Sequence, residues 1–472
     1  MKLRNWQSEC VVTALNHFEN YSKHFLCLAT PGAGKTVMAS EVAAQLFKQD
    51  QIDFVLCFSP SITVAEGFTA TFSKRLNHRF DGVIGAIGCS YTYQSMTHFD
   101  SNFWQILANN RVLVIFDEIH HCSGLTIDDA NAWGEEIILN IQSKAKYTLS
   151  LTGTPWRTDQ TPIVLSNYLG DNNAIQCDYV YGLRQAVQDE VCRKPTIVLV
   201  DNGEICVTGI EQHPKFFDSF KDLLDTRTVS YQDIITNDRA IHYLLERGCR
   251  KLAEIRTINP NAGGLIVASN VEHANQIMQI ITSDFKQSAV MVSYRHDDPA
   301  ETINAFRTNN IQWIVSIGMV SEGTDIPRLQ VCCHLSRVKT ELYFRQVLGR
   351  ILRFTISPNQ SAWLYTFSEP RLTEFAYRIE SELPDVKVII KESISDESND
   401  IDNLKNGDPI LLDAMNSIDF SFDESELHQP VELSIETLIE NERGNSGQDS
   451  NLNLDILGKF REKIIETFDS PF

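Results

Sequence analysis

Ala29-Thr30-Pro31-Gly32-Ala33-Gly34-Lys35-Thr36 lies between a short apolar run, Phe25–Leu28, and a segment of helical period, Thr36–Phe47. In that segment Ala39, Val42, Ala43, Leu46 and Phe47 recur at spacings that predict one buried helix face. Strand, small-residue loop and helix in this order make a phosphate-binding loop in its proper setting. Gly32, Ala33 and Gly34 let successive backbone N–H groups curl around an anion, and the start of the helix adds positive potential. Lys35 is then placed to reach the β and γ phosphates of ATP, and Thr36 to offer its hydroxyl to Mg²⁺. Ala29 stands where such loops usually begin with glycine, a departure that a phosphate loop tolerates.

A second apolar run, Val112–Phe116, ends in Asp117-Glu118-Ile119-His120. A strand that finishes in two carboxylates delivers them to the carboxyl edge of a parallel sheet, where ligands bind. Asp117 is suited to hold the Mg²⁺ shell, and Glu118 to orient and deprotonate an attacking water. Alone, such a pair would read as a solvated turn; downstream of a phosphate loop it reads as the other half of a nucleotide site.

Working outward, further candidate strands are Phe54–Phe58, Thr148–Leu151, Thr196–Val200, Gly264–Ala268 and Trp313–Ile317, with a helix over Ala240–Ile255. The run from Leu329 through Cys332-Cys333-His334 reads as a buried strand rather than a metal site, and His120-His121-Cys122 is too contiguous to converge on one ion. The alternation predicts an α/β chain with parallel sheets. The expected units are residues 1–225, with an irregular connector at its end, 226–390, and an extension over 391–472. No repeat of fixed residue period is present.

The 472 residues carry 62 acidic against 41 basic side chains, a net of −21. Residues 391–472 alone hold 20 Asp and Glu and 6 Lys and Arg, a net of −14. The preceding 390 residues are only mildly acidic, so the overall charge does not exclude a basic groove for nucleic acid. Ile394–Leu404 reads as a disordered linker. Leu454, Leu457, Phe460, Ile464 and Phe468 recur at helical spacing and predict a short terminal docking helix. The composition is that of a globular protein, and apolar runs are far too short to span a bilayer. The N-terminus lacks the apolar core of a signal peptide, and the 11 scattered cysteines suit reduced thiols, so the expected location is cytoplasmic.

With these motifs in hand, the chain resembles a superfamily 2 helicase or translocase of the DExH type. It is most similar to the group that includes the type III restriction motor subunits and Ssl2-like helicases. The likeness covers roughly residues 3–370. Leu3-Arg4-Asn5-Trp6-Gln7 resembles the family's adenine-recognition element, in which Gln7 would hydrogen-bond the base. Phe58-Ser59-Pro60-Ser61 and Thr92-Tyr93-Gln94-Ser95 resemble strand-contacting motifs, which implies nucleic-acid contacts at Pro60, Ser61, Thr92 and Tyr93. Thr152-Gly153-Thr154-Pro155-Trp156-Arg157 resembles the motif that couples hydrolysis to movement, with His120, Thr152 and Thr154 as its coupling groups. Val267-Ala268-Ser269-Asn270 is similar to the loop that opens nucleic-acid contact in the second domain, at Ser269 and Asn270.

Ser321-Glu322-Gly323-Thr324-Asp325-Ile326-Pro327 resembles the segment in which Gly323 and Asp325 would touch nucleotide. Gln346-Val347-Leu348-Gly349-Arg350-Ile351-Leu352-Arg353 matches the family's arginine helix. On one helix Gln346, Arg350 and Arg353 share a face, and the arginines would act as fingers on the γ-phosphate. The resemblance implies two tandem RecA-like P-loop domains with parallel sheets, followed by an acidic, partly disordered extension. It implies ATP and Mg²⁺ as substrate and cofactor and DNA as the track, in repair, restriction or antiviral defence. An RNA helicase, or a nucleotide-gated protein that recruits a partner such as a nuclease through its tail, are the alternatives. No nuclease signature stands out; Asp385-Val386-Lys387 lacks a convincing upstream Pro-Asp pair.

Overall fold

The computed structural model describes residues 2–154, 157, 161–169, 174–208, 213–293, 299–317, 326–355, 359–381, 386–392 and 453–467. Eight strands belong to the first half: β1 (His24–Ala29), β2 (Phe54–Ser59), β3 (Gly88–Thr92), β4 (Val112–Asp117), β5 (Tyr147–Thr152), β6 (Asn167–Leu169), β7 (Ala174–Gln176) and β8 (Tyr179–Tyr181). Six of them form one sheet in the order β3-β2-β4-β5-β1-β8, parallel throughout, while β6 and β7 pair as a separate hairpin. The central strands β4 and β5 are buried along their whole length, as expected of a sheet covered by helices on both faces. The helices Asn5–Asn20, Lys35–Lys48 and Ile62–Leu76 cover it with apolar faces that include Trp6, Ala14, Met38, Val42, Leu46, Phe68 and Phe72.

The second half contributes β9 (Lys194–Asn202), β10 (Ile205–Thr208), β11 (Lys215–Phe217), β12 (Gly263–Val267), β13 (Ala289–Val292), β14 (Trp313–Ser316), β15 (Leu329–His334), β16 (Ser361–Phe367), β17 (Val386–Glu392), β18 (Asn453–Ile456) and β19 (Phe460–Thr467). Its main sheet has eight strands in the order β13-β14-β12-β15-β16-β9-β19-β17. The strands from β13 to β9 run parallel, and β19 then pairs antiparallel with both β9 and β17. A small antiparallel sheet, β11-β10-β18, lies beside it.

The core strands and the helix Asp238–Arg256 fall where hydrophobic periodicity puts them. Two expectations need correction. The second unit begins at Lys194 rather than near 225, because β9 is zipped along β16 from Ser361 to Phe367. Residues 454–467 are not a helix: Asn453–Ile456 and Phe460–Thr467 are strands, and Phe468 lies outside the described residues. A spacing of four is also a multiple of two, so Phe460 and Ile464 share a strand face as readily as a helix face. The residue between them on that face is Glu462, a buried acid that hides the alternation. Residues 393–452, including the linker expected at 394–404, lie outside the described residues, as do Ser321–Asp325.

Glu462 is satisfied by Arg247, whose Nε and Nη2 donate to its two oxygens at 2.5 and 2.8 Å, and by the Tyr243 hydroxyl at 3.1 Å. The Tyr243 ring stacks on Phe460 with centroids 4.0 Å apart. Residues 460–467 thus form an interior strand of the second sheet. Removing one partner of a buried ion pair leaves the other uncompensated, at a cost of about 3 kcal/mol. Glu462→Ala should therefore lower the unfolding free energy of the second unit, measured by urea denaturation, by about that amount. A chain ending at Glu392, lacking β19, should lose cooperative unfolding of that unit; unchanged denaturation curves for both would contradict this placement.

Candidate active site

Every motif of the first unit reaches the same carboxyl edge of its sheet: Thr30 after β1, Pro60 after β2, Thr92 at the end of β3, Asp117 at the end of β4 and Thr152 at the end of β5. The phosphate loop needs its glycines. Gly32 and Gly34 have φ of 82° and 93°, a left-handed conformation that side-chain-bearing residues rarely adopt. The helix Lys35–Lys48 starts immediately after Gly34, without a side-chain cap. Its first N–H groups have no acceptor within the helix, and anions bind at such ends.

Lys35 is buried, and its Nζ donates to Glu118 Oε1 at 2.9 Å and to the Ala29 carbonyl at 3.3 Å. Burial pulls the ammonium down, but Glu118, Asp117 and the hydrogen bond to Glu118 outweigh it and hold its pKa above the ordinary value. The other carboxylate oxygen of Glu118 accepts from the Gly153 N–H at 3.0 Å, which ties the acidic pair to the motif after β5. Burial would raise Glu118, yet the Lys35 charge and these hydrogen bonds keep it well ionised. Asp117 behaves oppositely: burial, reinforced by the adjacent Glu118 charge, pushes its carboxyl up to about 7 against the pull of Lys35. A buried acid of this kind, together with the hydroxyl of Thr36 in the first turn of the helix Lys35–Lys48, fits a hard divalent cation by donor chemistry.

Glu118 has φ of 51°, so the turn after β4 is strained and must be held. Tyr93 does part of this, donating its hydroxyl to the Asp117 carbonyl at 2.8 Å while its ring stacks on Trp133. His120 links onward: its Nδ1 lies 2.9 Å from Thr152 Oγ1 and 3.5 Å from both Thr154 Oγ1 and Glu118 Oε2. Burial, with His121 adjacent, drives the His120 imidazole down to about 3, so it is neutral at physiological pH. Thr152 and Thr154 close a small loop, with Thr152 Oγ1 donating to the Thr154 carbonyl at 2.8 Å and accepting the Thr154 N–H at 3.0 Å. His120, Thr152 and Thr154, the three residues expected to couple, therefore form one hydrogen-bonded group behind Glu118.

Gln7 buttresses the loop: its Nε2 donates to the Gly34 carbonyl at 2.9 Å and its Oε1 accepts the Arg4 N–H at 2.9 Å. A base edge would compete with these two bonds. Arg4, one helical turn earlier in the same motif, donates to the Ala33 carbonyl at 2.7 Å. Sequence reasoning passed over Arg4, although its spacing of three from Gln7 was the available signal.

The second unit meets this loop directly. A methyl group on Gly349 would sit 2.9 Å from Pro31 Cβ, and one on Gly32 would sit 3.3 Å from Arg353 Cγ. Gln346 and Arg350 lie on the helix Glu341–Ile351, but Arg353 does not, contrary to the shared-face expectation. The helix stops at Ile351, and Arg353 is carried by an antiparallel bridge to Cys192. Burial, with Arg307 nearby, draws the Arg353 pKa down to about 10, still protonated at neutral pH.

The expected strand-contacting residues divide by exposure. Ser61 caps the helix Ile62–Leu76 by accepting the Val64 N–H at 3.4 Å, and Thr92 Oγ1 is 3.0 Å from Ser95 Oγ. Pro60, Ser61 and Thr92 keep part of their surface open, and Asn270 is exposed where it caps the helix Val271–Gln279. Tyr93 and Ser269 are buried. Ser269 Oγ accepts from Gln232 Nε2 at 3.1 Å and lies 2.9 Å from His273 Nδ1. These two residues support the edge from within, because their polar atoms are turned toward protein partners. Gly323 and Asp325 lie outside the described residues, as do Pro155 and Trp156.

Residues 1–157 match the family model "Type III restriction enzyme, res subunit", and residues 248–355 match "Helicase conserved C-terminal domain". An uncharacterized protein of Mycobacterium leprae is 29% identical over 395 residues, 80% of this chain and 64% of that protein. The DNA 3'-5' translocase XPB2 of Sulfurisphaera tokodaii is 24% identical over 382 residues, 75% of this chain and 79% of that protein. The chain spans less than two thirds of the length of its mycobacterial relatives. Among solved structures, a fragment described as an HsdR subunit of a type I restriction enzyme from Vibrio vulnificus superposes with a TM-score of 0.55 at 16% identity, covering 79% of this chain and 65% of that one. The Type ISP restriction-modification enzyme LlaBIII gives 0.51 at 13% identity, covering 80% of this chain and 29% of the other. The fold is that of two tandem RecA-like units.

The raised Asp117 carries a consequence for stability. Burial, with Glu118 beside it, pushes its carboxyl up to about 7 from an ordinary 3.8, so the folded state holds the proton more tightly than the unfolded chain. Its contribution to stability is best below about 4 and worsens as pH rises to about 7. In nucleotide-free and Mg²⁺-free buffer, Asp117→Asn should melt higher than wild type at pH 8, with the gap shrinking toward pH 5. A gap that stays constant across that range would contradict the assignment.

Proposed function

We propose that this chain, a superfamily 2 helicase related to restriction motor subunits, is a nucleic-acid-stimulated ATPase that moves along DNA as a helicase or translocase. The observation that carries this reading is the contact between the two halves of the site. The Pro31–Thr36 loop, with its lysine held by Glu118, lies against Gly349 and Arg353 of the other unit.

Bound nucleotide with Mg²⁺ would supply the phosphoryl group and the charge neutralisation that the transfer needs. The chain's own residues do the rest. The loop N–H groups of Gly32 to Thr36 cradle the phosphates, and Lys35 exchanges Glu118 for a phosphate oxygen. Thr36 and Asp117 would hold the cation, and Glu118, released from Lys35 but still fixed by Gly153, would orient the attacking water. Arg350 and Arg353, with Gln346, stabilise charge on the phosphate from the second unit, where Gly323 and Asp325 add contacts by resemblance. The His120–Thr152–Thr154 group connects Glu118 to the edge where nucleic acid would lie. Pro60, Ser61 and Thr92 on one unit and Asn270 on the other would grip the backbone in alternation as the units shift. Such phosphate contacts carry little sequence preference and weaken steeply with salt.

DNA is favoured over RNA because the translocase relative from Sulfurisphaera tokodaii is named for DNA. Restriction, repair or antiviral defence are the settings that fit such a motor, and a partner protein recruited through the C-terminal tail, residues 391–472, is the alternative reading. One panel tests the reading: ATP turnover with single-stranded DNA, duplex DNA and RNA. Stimulation by DNA is expected, and stimulation by RNA alone would reassign the track. Lys35→Ala should weaken nucleotide binding, while Glu118→Gln should keep ATP and lose turnover by about 100-fold or more. Arg350→Ala and Arg353→Ala should retain most ATP affinity and lose about 10³-fold in turnover. Wild-type turnover in Glu118→Gln would remove the assigned base.

A further inference from the structure

We propose that Arg193, at the passage between the two α/β units, is a positioning residue that locks the end of the arginine helix and the turn at Pro327 into place beside the phosphate loop. The inference rests on the function proposed above and adds to it a residue that belongs to none of the motifs.

Arg193 is fully buried, yet none of its acceptors is a carboxylate. Nη1 donates to the carbonyls of Leu329 at 2.5 Å and Ile351 at 3.3 Å. Nη2 donates to the Pro327 carbonyl at 2.9 Å and to Thr355 Oγ1 at 2.8 Å. Its backbone N–H closes the set on the Leu352 carbonyl at 2.6 Å. A buried cation without a counter-charge is unfavourable, and burial draws this one down to about 10, leaving it protonated at neutral pH. The acceptors explain why it is tolerated. The carbonyls of Ile351 and Leu352 end the helix Glu341–Ile351, where unsatisfied acceptors and the helix dipole favour a cation. Only a planar fork with several fixed donors can reach a helix end, a strand start and a loop hydroxyl together.

The neighbours of Arg193 make this more than core stitching. Cys192 pairs through its backbone with Arg353 and directs its Sγ to the Pro31 carbonyl at 3.7 Å. Two consecutive residues therefore touch the phosphate loop, both sides of the arginine pair's C-terminal end, and the turn that follows Gly323 and Asp325 in sequence. Arg328 provides the internal contrast. It too donates to three carbonyls, of Asn261, Phe306 and Ile311, but none of these belongs to a nucleotide motif. Where Arg328 joins segments, Arg193 sets the position of groups that must meet a phosphate, and a displacement of about 1 Å there can cost 10²-fold in rate.

The test compares wild type with Thr355→Val, which removes one acceptor at little risk to folding, with Arg193→Lys, which keeps charge but loses the fork, and with Arg193→Met. Amide exchange without nucleotide comes first. Exchange at Arg353–Thr355 and Arg328–Gln330 should rise at least tenfold in Arg193→Lys, and less in Thr355→Val, with β12 and β16 unchanged. ATP turnover with DNA should then show kcat reduced tenfold or more in Arg193→Lys and KM for ATP altered less than threefold. Unchanged exchange at these segments, or activity lost only in proportion to the unfolded fraction, overturns the proposal. Failure of wild type to hydrolyse ATP would instead overturn the function reading, and the exchange comparison would still decide the placement of Arg193.

Discussion

Pro31 rests on Gly349 so closely that a single methyl group on the glycine would not fit. That contact joins a loop of one α/β unit to a helix of the other, and the rest of the site depends on it. Each half is incomplete in chemical terms. Among the described residues, the first unit brings a lysine, two carboxylates and a helix start, and the second brings arginines. Placing the two at van der Waals distance brings groups of separate sheets to one small volume, so on the function proposed above a change at the phosphate would become a change between units.

Within the first unit, electrostatics keep the site poised. Lys35 is bound to Glu118, and Glu118 is bound in turn to Gly153 and lies near His120. A phosphate would compete for the lysine and free one oxygen of Glu118 while Gly153 keeps the other. The neighbouring Asp117 is raised because two acids share one buried corner, and a divalent cation is the natural means of relieving that. Strain at Glu118 is held by the buried Tyr93, which is itself adjacent to the exposed edge at Thr92. The same few hydrogen bonds therefore connect Glu118, the His120–Thr152–Thr154 group and the sheet edge at Thr92.

How legible this was depended on whether a feature is local. The phosphate loop, the acidic strand end and most core strands could be read because small residues, apolar period and charge lie in one continuous stretch. Lys35 and Glu118 were named from sequence, and the structure brings them to 2.9 Å. Features that need distant pairing were not legible. β9 belongs to the second sheet only because β16, far along the chain, lines up with it. Residues 460–467 pair with β9 across most of the second unit, and buried Glu462 broke the alternation that would have marked a strand. Arg353 left the helix because the passage at Cys192 captured its backbone. Tyr93 and Ser269 carry the right motif positions, but burial turns their polar atoms inward, and polarity alone does not reveal that.

The central claim is that one nucleotide is held by both units at once. Amide exchange measured along the chain, with and without a non-hydrolysable ATP analogue and Mg²⁺, tests it without requiring turnover or a nucleic-acid partner. The account predicts that the analogue slows exchange in the loop Gly32–Thr36 and, in the same titration, in the second-unit segment Gly349–Thr355. Protection confined to the first unit at saturating analogue, with Gly349–Thr355 exchanging as in the free protein, would contradict it.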